Sequence, residues 1–172
     1  MNYLLQPISE EKFKEKVTIR FNNINEGLSR FENFMLESKN KENSEAKFIV
    51  FMEKLFELNG EENSYVDFYF SRLEENDKKN LFESLNDEDK EVIKRHCSEI
   101  KDETIFFRLS KEAIPFITRL STREVFFSTF YFTKLPCTIW GNYNLKFPIF
   151  FNHKDMMEKY KEIAGQCGIE MN

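Results

Sequence analysis

His153, Lys154 and Asp155 stand together where a run of alternating apolar residues gives way to a helical pattern, the kind of junction at which catalytic groups are often held. An imidazole there titrates near neutral pH and could act as a general base. The same residues also read as a capped helix start, with the helix dipole favouring Asp155 in the first turn. The chain has only two histidines, and nothing in the sequence identifies a partner for either. Cys137 with His153 or His96 could form a thiolate–imidazole pair. Cys97, Cys137 and Cys167 with both histidines could supply zinc ligands. Separations of tens of residues without C-x-x-C spacing carry no signature of either chemistry, so no metal and no cofactor are expected.

Two Glu-x-Lys triplets, Glu10-Glu11-Lys12 and Glu45-Ala46-Lys47, have the residue types of some nuclease metal centres. They sit in helical patterns without an upstream acid borne on a strand, and are better read as solvated helix faces. No G-x-x-x-x-G-K-S/T or G-x-G-x-x-G occurs, and five glycines leave little scope for a phosphate cradle.

What remains is aromatic and basic. Glu124 to Phe151 holds the only Trp and nine Phe or Tyr residues. From Thr104 to Phe151, Arg108, Lys111, Arg119, Arg123, Lys134 and Lys146 face only Glu112 and Glu124, a net of +4. Rings that stack bases beside cations that hold phosphates are the working parts of single-strand binders. Most rings in a small domain build the core instead. Residues 1 to 100 carry 22 acids against 15 Lys and Arg, and the whole chain has a net charge of -5. An acidic part therefore adjoins a mildly basic, aromatic one.

These charges and rings need elements to place them. A chain of 172 residues with 41% hydrophobic content is the size of one domain with one core. Ser9 reads as an N-cap followed by two acids, with Ile8 and Phe13 spaced for a hydrophobic staple. Val17, Phe21, Ile24, Leu28, Phe31 and Met35 then recur at steps of four and three, predicting a helix to about Glu37. Gly27 weakens that helix, so packing must support it. AKFIVFMEKLFEL predicts a deeply buried helix closed by Gly60. Tyr65 to Leu73, Lys78 to Leu85 and Glu88 to Ile100 predict three shorter helices, with Asp77 and Asp87 as N-caps.

After Lys101 the pattern changes. ETIFFRL predicts a strand, SKEAIPFITRL a short helix, and VFFSTFYFT a strand, with a helix as the alternative there because Ser121 and Glu124 match a capping box. Alternation from Cys137 to Phe151 predicts strand, with Gly141-Asn142 as a two-residue hairpin turn placing Trp140 opposite Tyr143 and Thr138 opposite Leu145. Pro148 predicts an edge or a bulge. Asn152 is expected to cap a last helix that Gly165 closes.

The expected fold is α+β: a mainly helical, acidic stretch over residues 1–100, packed with a small antiparallel sheet and followed by a C-terminal helix. The three scattered cysteines and an N-terminus without a basic start and apolar run point to the cytoplasm, and no apolar stretch is long enough for a membrane span. The functional expectation is a non-catalytic, cytoplasmic protein-binding module, an acidic inhibitor or immunity-type protein, contacting its protein partner through Trp140, Tyr143, Arg123 and Lys146. The alternatives are single-stranded nucleic-acid binding through residues 104–151 and an enzyme using His153.

Overall fold

The computed structural model describes residues 2–101 and 103–172. Among these, eight strands form one antiparallel sheet: β1 (Leu5–Pro7), β2 (Glu32–Ser38), β3 (Ser64–Asp67), β4 (Phe106–Leu109), β5 (Thr129–Phe132), β6 (Cys137–Trp140), β7 (Lys146–Phe151) and β8 (Ile169–Met171). Their order across the sheet is β1-β4-β3-β5-β6-β7-β2-β8. The fold is α+β as expected, but the sheet is not small. Residues 1–100 supply three of its strands.

Side chains alternate between the two faces of each strand, and the pairing register extends that alternation across the sheet. One face carries Leu36, Val66, Phe107, Phe130, Ile139 and Ile149, all buried. Helices α3 (Ser44–Asn59), α6 (Ile114–Thr122) and α7 (Met157–Gln166) pack on this face. Their buried Phe48, Phe51, Leu55, Ile117, Leu120 and Tyr160 join the strand residues in one hydrophobic core. Helix α3 matches its prediction: Gly60 lies past its end at φ +83° and returns its N–H to the Phe56 carbonyl. Helices α4 (Glu75–Ser84) and α5 (Asp87–Glu99) also fall where expected. Their caps differ, since Asn86 rather than Asp87 starts α5, accepting from Asp89 N–H at 2.8 Å.

The opposite face is only partly roofed. It presents Arg108 from β4, Tyr65 and Asp67 from β3, Thr129 and Tyr131 from β5, Thr138 and Trp140 from β6 and Phe150 from β7, as the register Tyr65↔Arg108, Tyr65↔Tyr131, Tyr131↔Thr138 and Thr138↔Phe150 requires. Its roof is the segment predicted as one long helix. That segment is instead α1 (Glu10–Lys16), α2 (Ile24–Arg30) and then β2.

The physical reason for the break is local. Ser9 caps α1 as expected, but a second start follows at once: Asn23 accepts from Glu26 N–H at 3.0 Å while the Glu26 carboxylate accepts from Asn22 N–H at 2.9 Å. Beyond α2, residues Glu32 to Glu37 pair with Phe151 to Lys146, a partner more than a hundred residues away. The helical stripe is thereby divided: Ile24 and Leu28 stay together on α2, Met35 joins β2, and Val17, Phe21 and Phe31 lie between elements, with Leu28 45% exposed.

Four further expectations are corrected. Tyr65 to Leu73 is strand β3 followed by a short 3-10 turn over Tyr69–Arg72, because its β-branched and aromatic residues pair on both sides with β4 and β5. The β6–β7 connection is not a two-residue turn at Gly141-Asn142. It is the loop from Gly141 to Leu145, and Trp140 lies opposite Thr129 while Thr138 lies opposite Phe150. Strand β7 is interior, although its pairing with β6 stops at Ile149, so Pro148 is matched only to Met35 of β2. Helix α7 runs through Gly165 and is closed beyond Cys167 by Gly168 at φ +76°, and the tail after it is the edge strand β8.

Candidate functional site

Between the sheet and its incomplete roof lies a groove of about 560 Å³. Its position follows from two separate contacts of the roof. At one end, Phe13 of α1 stacks on Phe106 at 4.0 Å and meets Tyr131 edge-on at 4.9 Å. Together with Val17, Tyr65 and Tyr131 it forms a second, smaller apolar cluster. At the other end, Phe21 stacks on Trp140 at 5.3 Å and meets Phe150 edge-on at 4.7 Å. The chain between these anchors carries Arg20, and the sheet beneath it carries Asp67, Thr129 and Tyr131.

Gly27 has a specific place in this arrangement. A Cβ at that position would lie 2.7 to 2.9 Å from the Phe21 ring, so the glycine that weakens α2 is what lets this ring lie between the helix and Trp140. Gly141 is comparable: a Cβ there would meet the Ser128 carbonyl oxygen at 2.6 Å, and its N–H donates to that same oxygen at 3.1 Å. The end of β6 is thus drawn tight against the start of β5, fixing Trp140 over the groove.

The groove floor holds a buried acid. Asp67 is 5% exposed. Its Oδ1 accepts from Thr129 N–H at 2.7 Å and its Oδ2 from the Tyr131 hydroxyl at 3.1 Å. Burial outweighs these bonds and pushes the carboxyl up from 3.8 to about 6. Burial, and then the neighbouring Asp67, drive the Tyr131 hydroxyl well above its usual range. At the rim, Lys14 pairs with Glu10 at 2.5 Å and Arg30 with Glu26 at 2.5 Å. Arg20 is exposed and donates from Nε to the Val17 carbonyl at 3.2 Å.

Of the residues singled out from the sequence, Trp140 and Tyr143 both line this groove. Tyr143 is 59% exposed and packs edge-on against Phe127 at 4.7 Å. Arg123 and Lys146 do not line it. Arg123 is held by Glu45 at 2.8 Å and Lys146 faces Glu37 at 3.5 Å. Two more cations of the basic segment are tied down as well: Arg119 to the buried Asp89 at 2.5 Å and Lys111 to Glu57 at 2.7 Å. The cations that reach the groove, Lys14, Arg20 and Arg30, come from the acidic half of the sequence.

The chemistry considered from sequence is dispersed. His153 is exposed and lies outside the groove. His96 is buried, with edge contacts to Phe68 at 5.2 Å and Phe107 at 5.3 Å, and burial lowers its imidazole from 6.5 to about 4. Cys137 lies in the core, where burial raises its thiol to about 12, a poor nucleophile by that measure. Among the described residues no group of three or more His, Cys, Asp or Glu is arranged to hold a metal ion, and no helix is long and apolar enough to cross a membrane. The pattern of Tyr65 to Leu73 predicts a helix, which hides Asp67. The strand formers on both sides of it in SYVDFYF were the available signal.

Comparison with known protein families, with curated proteins and with solved structures finds no match to this chain.

Proposed function

We propose that this chain is a non-catalytic binding protein that takes a protein partner in the groove beneath α1 and α2. One observation carries the reading. Tyr143 and Tyr69, two of the four large apolar side chains exposed among the described residues, line the same concave surface as the only Trp, with Arg20 and Arg30 at its edge. Tyr, Trp and Arg are the residues that dominate protein interfaces, and their energy concentrates where a concave, apolar surface can be fully desolvated. The net charge of -5 speeds encounter with a basic partner, which supports an inhibitor or immunity-type role. Three free cysteines suit a reducing compartment and support a cytoplasmic location.

The test is recovery of tagged protein from its native lysate, with and without nuclease, beside a variant carrying Trp140→Ala and Tyr143→Ala whose fold is verified by circular dichroism. A stoichiometric protein that survives nuclease and is lost from the variant is the expected result. Loss of about 2 kcal/mol or more, roughly 30-fold in affinity, is the scale of a central aromatic pair. Undiminished recovery by the variant would remove the groove from the interface. Recovery abolished by nuclease would transfer the site to single-stranded nucleic acid.

A further inference from the structure

The groove floor holds a buried charge with no counter-ion against it. Among the described residues two carboxylates are buried almost completely, Asp89 at 2% and Asp67 at 5% exposure. Asp89 has the Arg119 guanidinium against it, at 2.5 Å from Nη2 and 3.1 Å from Nε. Asp67 is hydrogen-bonded by the Thr129 N–H and the Tyr131 hydroxyl, with the Thr129 side chain beside it, and among the described residues no cation forms an ion pair with it. Burying a carboxylate without a counter-charge is costly, and proteins pair such groups unless something else supplies the partner.

The rim does not supply it. Lys14 and Arg30 are engaged by Glu10 and Glu26, and Arg20 is exposed against the Val17 carbonyl. With Lys14 and Arg30 turned to rim acids and Arg20 to a backbone carbonyl, the groove floor at Asp67 is negative and walled by aromatic rings. Its complement is a cation with an apolar stem. A guanidinium suits it better than an ammonium, because it is weakly hydrated, stacks on ring faces and offers a planar fork of donors to a carboxylate that still has free lone pairs.

We propose that the groove captures an arginine side chain of the partner, its guanidinium on Asp67 and its stem against Trp140 and Tyr69. This rests on the reading of the groove as a protein-binding site and names the residue it recognises. It also predicts proton linkage. In the empty groove Asp67 holds its proton up to about pH 6, and an arriving cation stabilises the anion and expels that proton. The other titratable groups turned toward Asp67 are Tyr131 of β5, Tyr69 beyond β3 and, through Tyr69, Glu10 of α1. Both tyrosines are raised above 10 and Glu10, hydrogen-bonded by Lys14, is held below 4.5. None of them changes charge between pH 5 and 7.5.

Trp140 is the only Trp, so intrinsic fluorescence reports on the groove wall. The probe is Nα-acetyl-argininamide, titrated into the millimolar range that one ion pair with a cation–π contact supports, beside its neutral isostere Nα-acetyl-citrullinamide and Nα-acetyl-lysinamide. The expected result is a saturable change with the arginine probe, about tenfold tighter at pH 7.5 than at pH 5, and at least tenfold weaker with citrulline or in Asp67→Asn. No response, an equal response to citrulline, or an unchanged response in Asp67→Asn overturns the proposal. An equal response to lysine overturns the guanidinium assignment. In the lysate experiment, a partner retained by Asp67→Asn but lost by the Trp140/Tyr143 variant overturns the arginine and leaves the groove as the interface. Retention by both overturns the two readings together.

Discussion

Replacing Asp67 by Asn is expected to stabilise the protein at neutral pH by on the order of 3 kcal/mol relative to its effect near pH 4. The magnitude follows from a rise of the carboxyl from 3.8 to about 6 at about 1.4 kcal/mol per pH unit. Its sign follows from proton binding. Between those values the folded protein holds a proton on Asp67 that the unfolded chain has released, so stability falls as pH rises through this window and the full cost is present above pH 6. His96 works the other way. Its imidazole falls from 6.5 to about 4 on folding, so the unfolded chain binds the extra proton and stability rises with pH across that range, by a similar amount. In the wild type the two nearly cancel between pH 4 and 6, and the substitution exposes the slope belonging to His96. Urea titrations of both proteins at pH 5, 6, 7 and 8 measure the gap. Any offset from altered hydrogen bonds to Thr129 and Tyr131 is independent of pH and drops out when the pH values are compared. A gap that fails to widen between pH 5 and 8, or that narrows, would refute the assignment of an uncompensated buried carboxylate to Asp67.

Three further outcomes probe the parts that hold the groove in place. Gly27→Ala gains helix propensity of about 1 kcal/mol but drives a methyl into the Phe21 ring, which Trp140, Phe31 and Phe150 confine. Overpacking of about 1 to 3 kcal/mol prevails, giving a lower melting temperature and an altered Trp140 emission. Asp89→Ala strands the Arg119 guanidinium, whose side chain is 11% exposed, and should cost about 3 kcal/mol in chemical denaturation, the low end for a broken buried pair because Glu88 is 3.4 Å away. Tyr160→Phe removes the hydroxyl that donates to the Leu135 carbonyl and accepts from Asn59 Nδ2, and should lose about 1 to 3 kcal/mol with faster amide exchange at Leu135, whose N–H is bonded to Asn59.

The elements legible in the sequence are those whose signal is local. Helix α3 was marked by a long apolar run and Gly60, and β4 by the strand formers of ETIFFRL. Strands β2 and β3 are not legible locally because what decides them is remote. Glu32 to Glu37 has no strong intrinsic preference and becomes strand by pairing with β7, while the spacing of Val17 to Met35 mimics a helix without being one. Strand β3 lies between β4 and β5, and its four residues become strand through pairing on both sides with segments about 40 and 65 residues further along the chain. The site divides in the same way. Trp140 and Tyr143 were visible by composition, whereas Arg123 and Lys146 were chosen by charge alone, which does not reveal that Glu45 and Glu37 occupy them. Asp67 gains significance from burial, for which the strand formers flanking it in SYVDFYF are the one local signal.

The groove depends on a failure of local helix propensity. Had residues 10 to 37 continued as one helix, β2 would not exist and β7 would have no partner beyond β6. The break after Lys16 instead lets Phe13 and Phe21 land separately on the sheet, one over Phe106 and the other over Trp140, with Arg20 carried between them. Because the same segment then continues into β2, which sits between β7 and β8 in the sheet, the roof is anchored at its far end by a full strand. A rigid floor and a roof fixed at both ends limit the ordering cost of binding, which is what an interface of modest size requires to be tight. Weakening either aromatic anchor should therefore reduce partner affinity through the dissociation rate more than through the association rate.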